Sequence, residues 1–283
     1  MKIAVLSGKG GAGKTFVSVN LAAAAESARY LDCDAEEPNG HLFFKPTDTT
    51  EETVTVPLPV CDAERCTGCR TCVEFCRFNA LAYVGDKWMV FPEVCHSCGG
   101  CTLVCPEQAI SERKEPIGTA VRGTSGNVRI SSGFLNTGEV SAIPIIETLL
   151  GDADADGLTV IDCPPGSACT VMESIRDADY CILVAEPTAF GVHNLQMVWE
   201  LVSLFHKPHG VLINKSTEAD NPAEAFCKEN GVDVIARIPY QPTIAELVSE
   251  GKIAVREDEA MRTFFAELLT QIENTVSGEE TLL

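Results

Sequence analysis

The sequence predicts an α/β fold, a mostly parallel sheet with helices on both faces, interrupted by a small α+β module. Three observations predict it. A short apolar run, Ile3 to Leu6, meets a glycine-rich turn that opens into the helix-forming segment FVSVNLAAAAES. Apolar strand-like runs then recur at Tyr30 to Asp34, Leu158 to Asp162, Tyr180 to Ala185, Gly210 to Ile213 and Val234 to Ile238, with helical segments between them. Between residues 66 and 105 this pattern gives way to eight regularly spaced cysteines.

A chain of 283 residues has room for one large or two medium domains and a substantial core. Apolar content of 45% and charged content of 22% are ordinary for a globular protein. The formal charge of −20 provides no basic footprint, which argues against nucleic acid as a partner. No run of 18 apolar residues suggests a membrane span, and Leu6 leads into the glycine turn rather than a cleavage site. The 14 cysteines are spaced for thiolate metal chemistry rather than for a secreted disulfide framework. These readings together lead us to expect a cytoplasmic protein.

A strand, a tight loop and a helix N-terminus, in that order, form an anion cradle. Residues Gly8 to Thr15 meet the pattern G-x-x-x-x-G-K-[ST]. In it Lys14 can reach the β- and γ-phosphates and the Thr15 hydroxyl can ligate Mg²⁺. Lys9 extends the pattern to K-G-G-x-G-K-[ST], read here as Lys9-Gly10-Gly11-Ala12-Gly13-Lys14-Thr15. This resembles the deviant P-loop of the MinD/Mrp/ParA class, to which the nitrogenase iron protein belongs. The resemblance implies a P-loop NTPase sheet with ATP held by Gly8, Gly10, Gly11, Ala12, Gly13, Lys14, Thr15 and Phe16. It also implies that Lys9 reaches the nucleotide of a second copy in an ATP-sandwich homodimer, with hydrolysis slow in the absence of a partner.

Along the chain, Asp32-Cys33-Asp34 closes the second strand. By resemblance Asp34 orients or activates the attacking water, a role that needs an acceptor in line with the transferring phosphoryl group. Thr53 to Val60 is expected as a strand, with Pro57 and Pro59 marking an edge. Cys66-x2-Cys69-x2-Cys72-x3-Cys76 then recurs 29 residues later as Cys95-x2-Cys98-x2-Cys101-x3-Cys105-Pro106. The repeat resembles the duplication of a bacterial-type two-cluster ferredoxin. Three thiolates of each run face one cubane, and the fourth reaches the other. This assigns Cys66, Cys69, Cys72 and Cys105 to one [4Fe–4S] cluster, and Cys95, Cys98, Cys101 and Cys76 to a second. Arg77 stands where the family has a proline. Zinc sites favour separated pairs rather than triple runs.

After the cysteines, Val128 to Ser131 reads as a strand, and Val140 to Leu150 as a helix interrupted by Pro144. Gly151 to Gly157 reads as an acidic loop. Leu158 to Asp162 has the Walker B form, placing Asp162 to hold Mg²⁺ through water. By resemblance Cys163-Pro164-Pro165-Gly166 is switch II, Asn214 reads the adenine edge and the Pro239 segment flanks the base. Cys169, Cys33, Cys61, Cys163, Cys181 and Cys227 are read as packed residues, and His193 is given no role. A helix over Asp258 to Val276 carries a stripe expected to pack in the core, and the acidic tail SGEETLL argues against a membrane anchor.

The expected organisation is an ATPase domain of residues 1–60 and 107–283 with a ferredoxin-type insertion at 61–106. The expected function is ATP-linked electron transfer from a homodimer toward a partner metalloprotein or toward metal-cluster assembly. The alternative is a cluster carrier whose clusters are structural or delivered.

Overall fold

In the computed structural model, which describes residues 1–153, 157–216 and 221–278, β1 (Lys2–Leu6) runs through the middle of the sheet. Ile3 and Val5 enter one core and Ala4 and Leu6 the other, as a strand's two-residue period requires. The glycine loop leads into α1 (Lys14–Ala24), followed by β2 (Ala28–Asp32) and the short α2 (Gly40–Phe44). Next comes β3 (Thr47–Cys61), longer than the expected strand but, as Pro57 and Pro59 indicated, at the sheet edge.

The cysteine segment folds as α3 (Thr71–Phe75), the hairpin β4 (Leu81–Val84) and β5 (Lys87–Val90), and α4 (Gly100–Val104). The chain returns along β3 as β6 (Ile110–Ser125) and turns into β7 (Val128–Leu135). Sequence reading passed over β6. Its segment ISERKEPIGTAVRGTS has no clean alternation, and Pro116 and Gly118 read as breakers. It is a strand because β3 pairs with it from Cys61↔Ile110 to Thr47↔Thr124, so tertiary pairing overrides a weak local signal. Pro144 lies in the first turn of α5 (Ile143–Leu150), where its missing N–H costs no helical bond; it starts the helix rather than interrupting it.

The remaining elements alternate: β8 (Leu158–Asp162), α6 (Cys169–Ile175), β9 (Tyr180–Ala185), α7 (Ala189–Leu204), β10 (His209–Ser216), α8 (Pro222–Asn230) and β11 (Val234–Pro239). Then come α9 (Pro242–Ser249), α10 (Ala254–Glu257) and α11 (Glu259–Ser277). The middle of the expected acidic loop and most of the acidic tail lie outside the described residues.

The nine-stranded sheet has the order β11-β10-β9-β1-β8-β2-β7-β6-β3. Neighbours from β11 to β7 are parallel, and β6 and β3 extend the sheet antiparallel. Apolar residues of α5 to α8 fill one face, and those of α1, α10 and α11 fill the other. The expected stripe of the last helix is core: Phe265, Leu268, Leu269 and Ile272 are buried. Among the described residues no helix is long and apolar enough to cross a membrane.

Register places the cysteine segment relative to the sheet. β7 pairs with β6 only from Gly118↔Leu135 to Ser125↔Val128, so β6 before Gly118 overhangs the end of β7. Because β7 is parallel to β2, the overhang extends past the carboxyl ends of the parallel strands. Residues 62–109 therefore sit at the tip of a two-stranded ribbon, on the same sheet edge as the loop after β1. Their apolar cluster is small: buried Cys72 and Leu81 meet Ile110, the first residue of β6, with partly buried neighbours.

Candidate functional site

The loop between β1 and α1 borders a cleft of about 560 Å³ at the carboxyl edge of the sheet. Lys9, Gly10, Gly11, Gly13, Lys14, Thr15 and Phe16 line it, together with Asp34, Asn214 and Pro239. Ala12 and Asp162 are buried behind the lining. Two glycines are required sterically. A Cβ on Gly8 would lie 2.1 Å from the Asn194 carbonyl oxygen, and one on Gly13, whose φ is 99°, would lie 2.0 Å from Asn214 Nδ2. Gly13 also starts α1, so the first amides of that helix are free to meet an anion.

Lys14 is buried, with Nζ 2.6 Å from Asp162 Oδ1 and 3.6 Å from Asp34 Oδ2. Burial alone would lower its pKa, but the Asp162 and Asp34 carboxylates raise it, so the ammonium stays charged. The Tyr30 hydroxyl donates to Asp162 Oδ2 at 2.8 Å. Asp32 Oδ2 accepts from the Gly40 amide at 2.8 Å, while its buried Oδ1 has no partner. Sequence reading missed Tyr30 and Asp32 as members of this cluster, although both face the same side of β2 by the two-residue period. Asp32, Asp34 and Asp162 gather three carboxyl groups around one ammonium. Together with the Thr15 hydroxyl at the loop's end, that donor set suits Mg²⁺, which takes few protein ligands beside phosphate oxygens. Among the described residues no three His, Cys, Asp or Glu side chains converge on a single metal position.

The acid cluster has a measurable cost. Burial, reinforced by Asp162, pushes the Asp32 carboxyl up to about 8; burial pushes Asp34 up to about 6 against the opposing pull of Lys14. A carboxyl with a raised folded-state pKa binds its proton more tightly folded than unfolded, so stability falls as pH rises through that window. The nucleotide-free protein is expected to unfold at higher temperature at pH 6 than at pH 8. Asp32 accounts for on the order of 1–2 kcal/mol of the difference. Thermal melts of wild type and Asp32→Asn check this, and an equally steep pH dependence in the variant would refute it.

Lys9 is paired within its own chain, 2.8 Å from Glu186 Oε2 and stacked over the Phe190 ring at 4.8 Å. Lys215 shares Glu186 at 2.7 Å and donates to the Gly11 carbonyl at 2.9 Å. Neither Glu186 nor Lys215 was singled out from sequence. The Asn214 amide donates to the Ala12 carbonyl at 2.9 Å and accepts from the Lys215 amide at 2.9 Å. It thus fixes the loop and keeps one N–H in reserve. His193 is exposed on α7.

The eight repeated cysteines surround two cavities in the crossed pattern expected of them. Cys66, Cys69, Cys72 and Cys105 line one; Cys76, Cys95, Cys98 and Cys101 line the other. In a cubane each thiolate binds a different iron, so the sulfurs surround a body rather than converge on a point. The donor chemistry and the arrangement around two hollows fit such a group. The duplication is also visible in the backbone, since the left-handed residues Gly68, Arg70 and Asn79 recur 29 positions on as Ser97, Gly99 and Gln108. Arg70 and Gly99 each precede a five-residue helix carrying the third cysteine of its run. The Ala109 amide donates to Cys105 Sγ at 3.3 Å, and Asp62 donates its amide to the Ala109 carbonyl, joining the first cavity to the ribbon.

Two cysteines depart from the packed role expected of them. Cys61 ends β3 half-buried and lines the first cavity, where burial and the neighbouring Cys66 push its thiol up. Cys169 is exposed as the first residue of α6, because that helix buries the face carrying Val171, Ser174 and Ile175. Cys33, Cys163, Cys181 and Cys227 are buried as expected.

Comparison with known proteins matches residues 3–255 to the CobQ/CobB/MinD/ParA nucleotide binding domain. An uncharacterised protein of Methanocaldococcus jannaschii is 32% identical over 220 residues, covering 76% of this chain and 78% of its own. The iron-sulfur cluster carrier protein of the same organism is 25% identical, over 99% of this chain and 86% of its own. A 7Fe ferredoxin of Hydrogenibacillus schlegelii is 39% identical over 49 residues, 17% of this chain and 63% of its own. Among solved structures, the septum site-determining protein MinD of Pyrococcus horikoshii with Mg-ADP superposes with a TM-score of 0.59 at 18% identity, over 99% of both chains. This chain belongs to the CobQ/CobB/MinD/ParA nucleotide-binding family.

Proposed function

We propose that the chain is an ATP-hydrolysing iron–sulfur protein of the deviant P-loop type, in which the nucleotide state of a cytoplasmic homodimer governs electron transfer. The electrons pass to a partner metalloprotein or to metal-cluster assembly. One observation carries the reading: the two cysteine-lined cavities sit on a ribbon overhanging the sheet edge at which the nucleotide cleft opens. A switch at the cleft and a redox module on one edge can face the same partner.

Each residue has a defined task in this reading. The loop amides from Gly8 to Thr15 and the Lys14 ammonium hold the β- and γ-phosphates. Lys14 would turn from Asp162 to the phosphates, and the Thr15 hydroxyl, with Asp162 acting through water, would hold Mg²⁺. Asp34 accepts a hydrogen bond from the attacking water. Lys9 exchanges Glu186 for the nucleotide of the second copy. Asn214 turns its spare N–H to the adenine, which the Pro239 segment flanks. In the ferredoxin module, residues 61–106, Cys66, Cys69, Cys72 and Cys105 would hold one [4Fe–4S] cluster, and Cys95, Cys98, Cys101 and Cys76 the other. When bound, the clusters supply one-electron transfer.

The test is an anaerobic redox titration of the reconstituted protein, followed by EPR with and without MgATP. The expected result is a nucleotide-dependent shift in the potential or spectrum of at least one cluster. Identical titrations would remove electron gating and favour the second reading, a cluster carrier. The similarity to the iron-sulfur cluster carrier protein supports that alternative.

A further inference from the structure

Two aromatic residues of the β4–β5 hairpin, Tyr83 and Trp88, pair across it and line the cavity of Cys66, Cys69, Cys72 and Cys105. The Trp88 Nε1–H is buried without a hydrogen-bond partner. Trp88 and Cys72 line the same cavity, and the indole makes no hydrogen bond of acceptable geometry within the chain. A desolvated N–H with no acceptor is unfavourable, because it has given up its water without a replacement. Such an orphan beside a cavity marks a place where an acceptor is supplied from outside the chain.

The duplication makes this donor one-sided. The position 29 residues after Trp88 is Ile117, a buried residue of β6 in the ATPase core. The other cavity has no indole; its wall carries Phe78 and His96, stacked at 3.8 Å. The charged neighbours nearly match, Arg70 and Glu107 at one cavity against Arg77 and Glu112 at the other. The indole is therefore a difference that charge balance does not cancel.

We propose that Trp88 donates its Nε1–H to a sulfur of the cluster held by Cys66, Cys69, Cys72 and Cys105, raising that cluster's reduction potential and leaving the other's unchanged. The inference rests on reading those cysteines as cluster ligands. Reduction adds one electron to the cluster and no atom, and a donor hydrogen bond stabilises the more negative form. Trp88 is thus a positioning and tuning residue that biases which cluster of the pair holds the electron.

The experiment is an anaerobic dithionite titration of the cluster-loaded protein with redox mediators, followed by EPR, for wild type, Trp88→Phe and Trp199→Phe. Trp199 is the control because the chain has two tryptophans and this one packs on Phe226, 5.6 Å away in α7 and α8. In Trp88→Phe one reduction step is expected to shift about tenfold toward the oxidised form, about 59 mV for a one-electron couple. The other step and both steps of Trp199→Phe should not move. Unmoved steps in Trp88→Phe at wild-type iron content, or equal shifts in both, would overturn the proposal. Absence of any [4Fe–4S] signal in reconstituted wild type would instead sink the cluster reading itself. Should Trp88→Phe fail to load iron, wild type and Trp199→Phe labelled with ¹⁵N-indole keep the question answerable. Pulsed EPR should show a ¹⁵N coupling to a reduced cluster in both, and its absence would overturn the proposal.

Discussion

Lys14→Ala is expected to lower ATP hydrolysis by roughly 10³-fold, the scale for losing a charged group that meets developing phosphoryl charge. The structure adds a second effect. In the nucleotide-free protein Lys14 is the cation of a buried cluster containing Asp162 and Asp34, with Asp32 also acting on it. Removing one partner of a buried ion pair costs about 3–5 kcal/mol when the other stays charged. Here part of the loss is relieved by protonation, because Asp32 and Asp34 already bind protons readily. The variant should therefore be markedly less stable than wild type at pH 8, with a smaller gap at pH 6. Steady-state phosphate release and melts at both pH values separate the catalytic from the structural effect. Hydrolysis within threefold of wild type would refute the assignment of Lys14.

Removing iron is expected to unfold the cysteine segment while sparing the sheet. Residues 62–109 bury little of their own, and metal-organised minidomains lose their fold with their metal. Hydrogen exchange of iron-free against reconstituted protein should show protection in α3, α4, β4 and β5 falling by about 10²-fold or more. The central strands β1, β8 and β9, buried between both helical layers, should change little. Equal protection of the cysteine segment in both states would mean that it folds without clusters.

The parallel strands and the loop after β1 were legible because their signals are local: an apolar run, a carboxylate end, glycines at fixed offsets. The cysteine pattern was legible because it repeats at a fixed 29-residue offset within one short stretch of chain. What escaped depends on pairing between distant segments. β6 carries four charged residues in a row near its start, and only its register with β3 makes it a strand. Glu186, just after β9, and Lys215, on β10, meet the P-loop from far along the chain, so no window of sequence joins them to Lys9. Trp88 and Tyr30 look like ordinary core aromatics until their polar atoms are placed beside thiols and carboxylates.

The long edge strand has a consequence for crowding. A 15-residue outer strand would ordinarily invite a second copy to zip on and continue the sheet into a filament. β3 resists this along its length. Asp48, Glu51 and Glu52 repel an identical strand near one end, while Pro57 and Pro59 remove amide donors near the other. Polymerisation through this edge is disfavoured, so the protein can be abundant while it carries an exposed ribbon.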